Sequence, residues 1–204
     1  MYNFFHIYNF NTYNLMVTCM NENGYMNNGI RISYPRTKYF KINLYLKEKI
    51  ENVILDFMNQ SKKAELESVI YTLDISYDDY SYEEFESFVF FISMYIGGAH
   101  PNNLIFTVNY DTKNDKFIDI DTLSDDNNFL IMISNEATKI LVNNPNIVDQ
   151  KMLEVGLAPI KDNFKNIIFT PNGFKIFIPL YQIAPYSSGS FQVIIPYSKT
   201  KDNI

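Results

Sequence analysis

Val69-Ile70-Tyr71-Thr72-Leu73-Asp74-Ile75-Ser76-Tyr77 carries apolar side chains at its odd positions and mostly polar ones at its even positions. Successive strand residues point to opposite faces, so the alternation predicts a half-buried antiparallel strand. Downstream, Ser87 to Tyr95 is apolar on both faces, as for a central strand covered on each side. Glu83, Glu84 and Glu86 form a charged turn between the two. Leu104 to Tyr110 alternates again, with Leu104, Phe106, Val108 and Tyr110 on one face. Asp111-Thr112-Lys113-Asn114-Asp115-Lys116 reads as a hairpin turn into a short strand, Phe117 to Ile120.

Working outward, Leu46, Ile50, Val53, Ile54, Phe57 and Met58 follow the helical period, with Lys47, Glu48, Glu51 and Asn52 opposite. A second helix has Ser124 or Asp125 as candidate N-cap and Leu130, Ile133, Ala137, Ile140 and Leu141 as its buried stripe. It ends at Asn143-Asn144-Pro145, and a weaker helical stretch, Val148 to Val155, follows. Three last strands are expected at Asn166 to Thr170, Phe174 to Leu180 and Phe191 to Pro196, the first two joined by Pro171-Asn172-Gly173. At the other end, turn-like Asn21-Glu22-Asn23-Gly24 and Asn27-Asn28-Gly29 close a strand or hairpin that leads into alternating Ile30 to Pro35. Strands come in runs separated by single helices. The pattern therefore predicts an α+β fold with a mainly antiparallel sheet and two main helices packed on it.

The chain has 204 residues, 47% of them hydrophobic, enough for one large domain or two tightly joined halves. Its net charge of −6 would repel phosphate backbones, which argues against nucleic acid as a partner. Cys19 is the sole cysteine, which excludes an internal disulfide and a cysteine-based metal cluster; it reads as a packed small hydrophobe. Met1-Tyr2-Asn3-Phe4-Phe5 lacks the basic and apolar regions of a signal peptide. The longest uncharged apolar run, Ser87 to Ala99, is shorter than the ~20 residues of a membrane helix.

Two segments stand out as candidate binding loops. Tyr95-Ile96-Gly97-Gly98-Ala99-His100-Pro101-Asn102 ends the most apolar strand, and its paired glycines allow positive φ or close backbone approach. It reads equally as a tight corner with a hydrogen-bonded structural histidine. Tyr181-Gln182-Ile183-Ala184-Pro185-Tyr186-Ser187-Ser188-Gly189 brackets a proline with two tyrosines, which offer contact area with a polar handle. Its alternative is a loop whose tyrosines pack on the domain.

These two segments, with Asn109-Tyr110-Asp111 and Ile195-Pro196-Tyr197, resemble the RsiV/PdaC-type family of bacterial envelope domains. Tyr34-Pro35, Ile42-Asn43 and, more loosely, Asn163-Phe164 or Asn166 fit the same pattern. The family includes the extracytoplasmic domain of an anti-sigma factor that senses lysozyme and the non-catalytic N-terminal region of a peptidoglycan deacetylase. The resemblance covers residues 29–199, in halves 29–80 and 81–199, between an N-terminal extension (1–28) and a tail (200–204). It implies an extracytoplasmic or cell-surface binding module, without cofactor, for a basic lysozyme-like protein or peptidoglycan. No sigma-binding segment is visible, so only the sensing half of an anti-sigma factor is expected.

The residues themselves offer little chemistry. His6 and His100 are the only histidines, so a three-histidine zinc site is excluded. The acidic run Asp111, Asp115, Asp119, Asp121, Asp125, Asp126 has Lys113 where a calcium loop needs a ligand, and reads as a solvated turn and helix cap. Nucleophile-elbow and phosphate-loop motifs are absent. The sequence therefore predicts a non-catalytic binding module. Its binding candidates are Tyr95, Gly97, Gly98, His100, Asn102, Asp111, Tyr181, Pro185, Tyr186 and Gly189. The rival expectation is a hydrolase or metal-assisted enzyme in which Tyr95, His100, Asp111 and Tyr186 converge, with His100 as base.

Overall fold

A computed structural model describes residues 2–9, 12–20, 26–64, 69–124 and 127–199, with side chains for Tyr13 and for 29–63, 69–124 and 128–199. The fold is α+β and mainly antiparallel. Strands β1 (Tyr2–Asn9), β2 (Thr12–Met20), β3 (Met26–Pro35), β4 (Tyr71–Tyr82), β5 (Phe85–Tyr95), β6 (Asn102–Asp111) and β7 (Lys116–Ile118) follow chain order in one sheet. The chain divides into two compact units, Met1–Tyr77 with Phe90–Leu104, and Asp78–Val89 with Ile105–Ile204. Among the described residues no helix is long and apolar enough to cross a membrane.

In the first unit β1 and β2 form an antiparallel hairpin, and β3 adds antiparallel to β2. Cys19 lies on β2, but its side chain is outside those described. Helix α1 (Phe40–Ala64) then carries the chain to β4. A helical crossover of this length returns the chain in the same direction, and β3 and β4 pair in parallel from Asn28↔Tyr71 to Ile32↔Ile75. The antiparallel expectation for Val69 to Tyr77 is corrected on that side. Exposed Arg31 and half-buried Asp74, partners in this ladder, also form an ion pair at 2.5 Å. Helix α1 starts where Asn43 clasps Thr37: Asn43 Oδ1 accepts from Thr37 N, and Asn43 Nδ2 donates to Thr37 O, each at 2.8 Å. Its buried stripe is Ile42, Leu46, Ile50 and Phe57, which the helical spacing predicts in large part.

In the second unit α2 (Ile120–Leu123), α3 (Asn127–Leu141), α4 (Gln150–Gly156) and α5 (Lys161–Phe164) precede a sheet of order β10-β9-β8. Its strands are β8 (Ile167–Thr170), β9 (Gly173–Ile178) and β10 (Phe191–Ile195), antiparallel throughout. The expected strand Phe117 to Ile120 stops at Ile118, because Asp119 Oδ1 accepts from Thr122 N at 2.9 Å and caps α2. Ser124, a candidate cap for the next helix, instead donates its hydroxyl back to Ile120 O at 2.5 Å; Asp125 lies outside the described residues. Helix α3 buries Phe129, Leu130, Ile133, Ala137 and Leu141 in a core shared with Phe164, Phe174, Ile176 and Ile178. Ile140 was expected in that stripe but is 49% exposed, because it falls at the edge of the arc that faces the core.

A buried polar relay braces this unit. Ser87 Oγ donates to Asn109 Oδ1 at 2.8 Å, and Asn109 Nδ2 donates to Ile167 O at 2.8 Å. Phe169 N donates to Ser87 Oγ at 3.2 Å. Two polar side chains thus tie β5 and β6 to β8 while meeting the demand that buried polar groups be bonded.

Candidate functional site

In the first unit, Tyr95 closes its loop by donating its hydroxyl to Gly98 O at 3.1 Å. Gly97 and Gly98 take φ of 90° and 116°, the left-handed side that glycine tolerates. His100 is exposed, with Nδ1 3.0 Å from Pro101 O, and Asn102 is exposed at the start of β6. The segment is a glycine corner that displays His100 and Asn102.

In the second unit, Asp111 is buried and committed to its own turn. Oδ1 accepts from Lys113 N at 3.0 Å and Asn114 N at 2.9 Å, and Oδ2 accepts from Asn114 Nδ2 at 2.7 Å. The Asn114 side-chain bond, with those from the backbone and the charge of Lys116, outweighs burial and holds its pKa below the usual carboxylate range. Tyr110 donates its hydroxyl to Asp115 in the same turn. Tyr95 and His100 belong to one unit and Asp111 and Tyr186 to the other, so neither unit by itself contains the expected catalytic cluster. Among the described residues no group of three or more His, Cys, Asp or Glu side chains could hold a metal ion.

The loop from Tyr181 to Gly189 is anchored from beneath. Gln182 Nε2 donates to Gly156 O at 2.8 Å and to Asn163 O at 3.0 Å, while Ile183 and Ala184 are buried. Pro185 O accepts from Ser188 N at 2.9 Å, Tyr186 O accepts from Gly189 N at 3.0 Å, and Gly189 leaves the turn at φ 76°. On this base Tyr181 is 57% exposed and held at φ 66°, with its ring 5.6 Å from that of Tyr186. An aromatic residue at positive φ is uncommon, and the anchors fix it there.

The same unit contains a cleft of about 460 Å³ walled by Tyr82, Phe85, Phe169, Phe174 and Tyr197, with Glu83, Asp111 and Thr122 among its polar lining. The rings support one another. Phe85 and Phe169 stack at 4.0 Å, Tyr82 and Tyr197 at 5.0 Å, and Phe174 meets Tyr197 edge-on at 4.9 Å. Tyr197 donates to Thr170 O at 3.0 Å, and burial raises its pKa well above the ordinary phenol range. Tyr82 is raised chiefly by its bond to Glu83. Glu83 occupies the first position of the two-residue β4–β5 turn at φ 51°, and Glu84 O accepts from Thr112 N at 2.8 Å and Thr112 Oγ1 at 2.9 Å. The sequence reading found Glu83 only as a charged turn and Tyr197 only within a motif. The two-residue gap between alternating strands was the available signal for a hairpin that presents a carboxylate.

The fold has known counterparts. Residues 120–198 match the family model described as Protein of unknown function (DUF3298). Over 176 residues, 84% of this chain, the sequence is 29% identical to Peptidoglycan-N-acetylmuramic acid deacetylase PdaC of Bacillus subtilis strain 168. The chain covers 38% of that relative's length. A DUF3298-family protein of Bacteroides fragilis NCTC 9343 superposes with a TM-score of 0.63 at 16% identity, over 98% of this chain and 92% of its own. Another from Pseudomonas aeruginosa PAO1 gives 0.65 at 16% identity, over 93% and 92%. These likenesses establish the shared fold and agree with the RsiV/PdaC-type resemblance of the sequence motifs.

Proposed function

We propose that this chain is a non-catalytic binding module of the bacterial cell envelope, recognising peptidoglycan fragments or a lysozyme-like hydrolase that cuts them, outside the cytoplasm. The observation that carries the reading is the anchored, exposed Tyr181 with half-buried Tyr186 beside it. Rigid tyrosines lose little entropy on binding and supply contact area, the usual character of a recognition hot spot. The commitment of Asp111 to its turn favours binding over the hydrolase reading, since three hydrogen bonds already hold that carboxylate within its own turn. Likeness to a peptidoglycan deacetylase over most of this chain supports the envelope setting. The net charge of −6 favours encounter with a basic protein such as a lysozyme.

The test is a calorimetric titration with a basic lysozyme at low and high salt, beside a pull-down on purified sacculi. Saturable binding to either, weakened by Tyr181→Ala or Tyr186→Ala, is expected. Silence in both assays would refute the reading.

A further inference from the structure

We infer that the aromatic cleft lined by Tyr82, Phe85 and Tyr197 is a saccharide subsite for a neutral or protonated hexosamine unit, a site separate from the tyrosine loop. The inference rests on the peptidoglycan branch of the proposed function for its biological ligand, but its geometry is independent of that loop. A volume of about 460 Å³ lies in the range of small-molecule sites and suits one or a few sugar rings. Sugar rings present apolar C–H faces and polar edges, and the cleft answers both. Its walls are the rings of Tyr82, Phe85, Phe169, Phe174 and Tyr197, and Glu83 and Thr122 are exposed at its margin.

Charge narrows the ligand. Glu83 and Asp111 are the ionisable acids of the lining, and neither lysine nor arginine is among the lining residues. An anionic ligand would meet carboxylates and ring faces, both repulsive; a hydroxyl, an amide N–H or an ammonium would meet acceptors and the negative faces of aromatic rings. Glu83 holds its place at φ 51°, in a turn position that glycine fills more readily, so the side chain is kept at the margin against the backbone's preference. Glu84, held by both donors of Thr112, makes the turn rigid. The cleft is thus preorganised, with stacked walls and a clamped rim.

The experiment uses the full chain, with ligand-observed saturation-transfer NMR and tyrosine fluorescence, since the chain has 16 tyrosines and no tryptophan. Probes are the N-acetylglucosamine trimer and glucosamine, with N-acetylneuraminic acid as the anionic control. Saturable binding of the first two and weaker binding of the acid are expected. Glu83→Gly, which suits the turn backbone, and Tyr82→Leu should each weaken the trimer by about tenfold, whereas Leu55→Ala, at an exposed residue outside the cleft, should leave it unchanged. A thermal melt of each variant separates lost binding from lost fold. No saturable binding of either sugar, or binding that both cleft variants leave intact, overturns the subsite. Binding of sacculi without cleft dependence overturns the subsite and leaves the envelope module standing. Cleft-dependent binding of the trimer with no binding of sacculi or lysozyme supports the subsite and overturns the envelope reading.

Discussion

Gln182 and Gly156 meet twice. The Gln182 side-chain amide donates to Gly156 O at 2.8 Å, and the Gln182 carbonyl oxygen lies 2.1 Å from where a Cβ on residue 156 would stand. The near atom is backbone, so it cannot rotate away. Gly156→Ala is therefore expected to cost roughly 2–3 kcal/mol through overpacking. Urea denaturation measures the loss, and hydrogen exchange should show the loop from Tyr181 to Tyr186 opening first. A variant as stable as the parent would contradict this close fit.

Asn109 is the hub of the relay between β5, β6 and β8. Its removal leaves Ser87 Oγ and Ile167 O without this partner inside the core. Asn109→Ala should destabilise the protein by about 3 kcal/mol, from unmet buried groups and lost packing. Ser87→Ala should cost less, because Asn109 keeps its bond to Ile167 O. A double-mutant cycle in denaturant should show coupling between the two; strict additivity would contradict the relay.

The acid limb of stability follows from Asp111 and Asp119. Both pKa values are lowered, Asp111 chiefly by the Asn114 side-chain bond and Asp119 chiefly by the Thr122 backbone N–H. A carboxylate depressed in the folded state contributes stability above its unfolded value, near pH 4, and that contribution fades as pH falls through the folded value. Denaturation midpoints should therefore decline below about pH 4. Asp111→Asn should be less stable at neutral pH and show a shallower decline. An acid limb unaltered in Asp111→Asn would mean other carboxylates govern it.

The turn at Glu83 makes a prediction opposite in sign to those above. Relieving a non-glycine residue at φ 51° should stabilise the fold, so Glu83→Gly is expected to gain about 0.5–1 kcal/mol. Differential scanning calorimetry would read this as a rise of about 1–4 °C. A melting temperature that falls would show that contacts of the Glu83 side chain outweigh the strain.

Period-two and helical patterns placed most strands and both long helices, because side-chain burial repeats with the backbone geometry. Pairing direction was harder. The alternation of Val69 to Tyr77 looks the same beside a parallel or an antiparallel neighbour, and only the helical crossover α1 implies the parallel partner β3. Asp119 capping α2 was hidden inside an apparent strand, since four residues are too few for a period to emerge. At the candidate sites, the motif of Tyr181 and Tyr186 was visible as a tyrosine-proline loop, but its anchoring by Gln182 was not. The cleft escaped notice for a related reason. Tyr82, Phe169 and Tyr197 are far apart in sequence and become neighbours only through tertiary pairing.

The interleaving of the two units has a practical meaning for anyone who would cut this chain. The family match begins at residue 120, yet Asp78–Val89 and Ile105–Asp111 belong to the same compact unit. A fragment starting at 120 would be born without Ser87 and Asn109, and without Tyr82, Glu83, Phe85 and Asp111 of the cleft. The unit that packs together is therefore larger than the stretch a sequence signature outlines. It is a discontinuous piece, and a fragment that keeps the relay and the cleft must begin at or before Asp78.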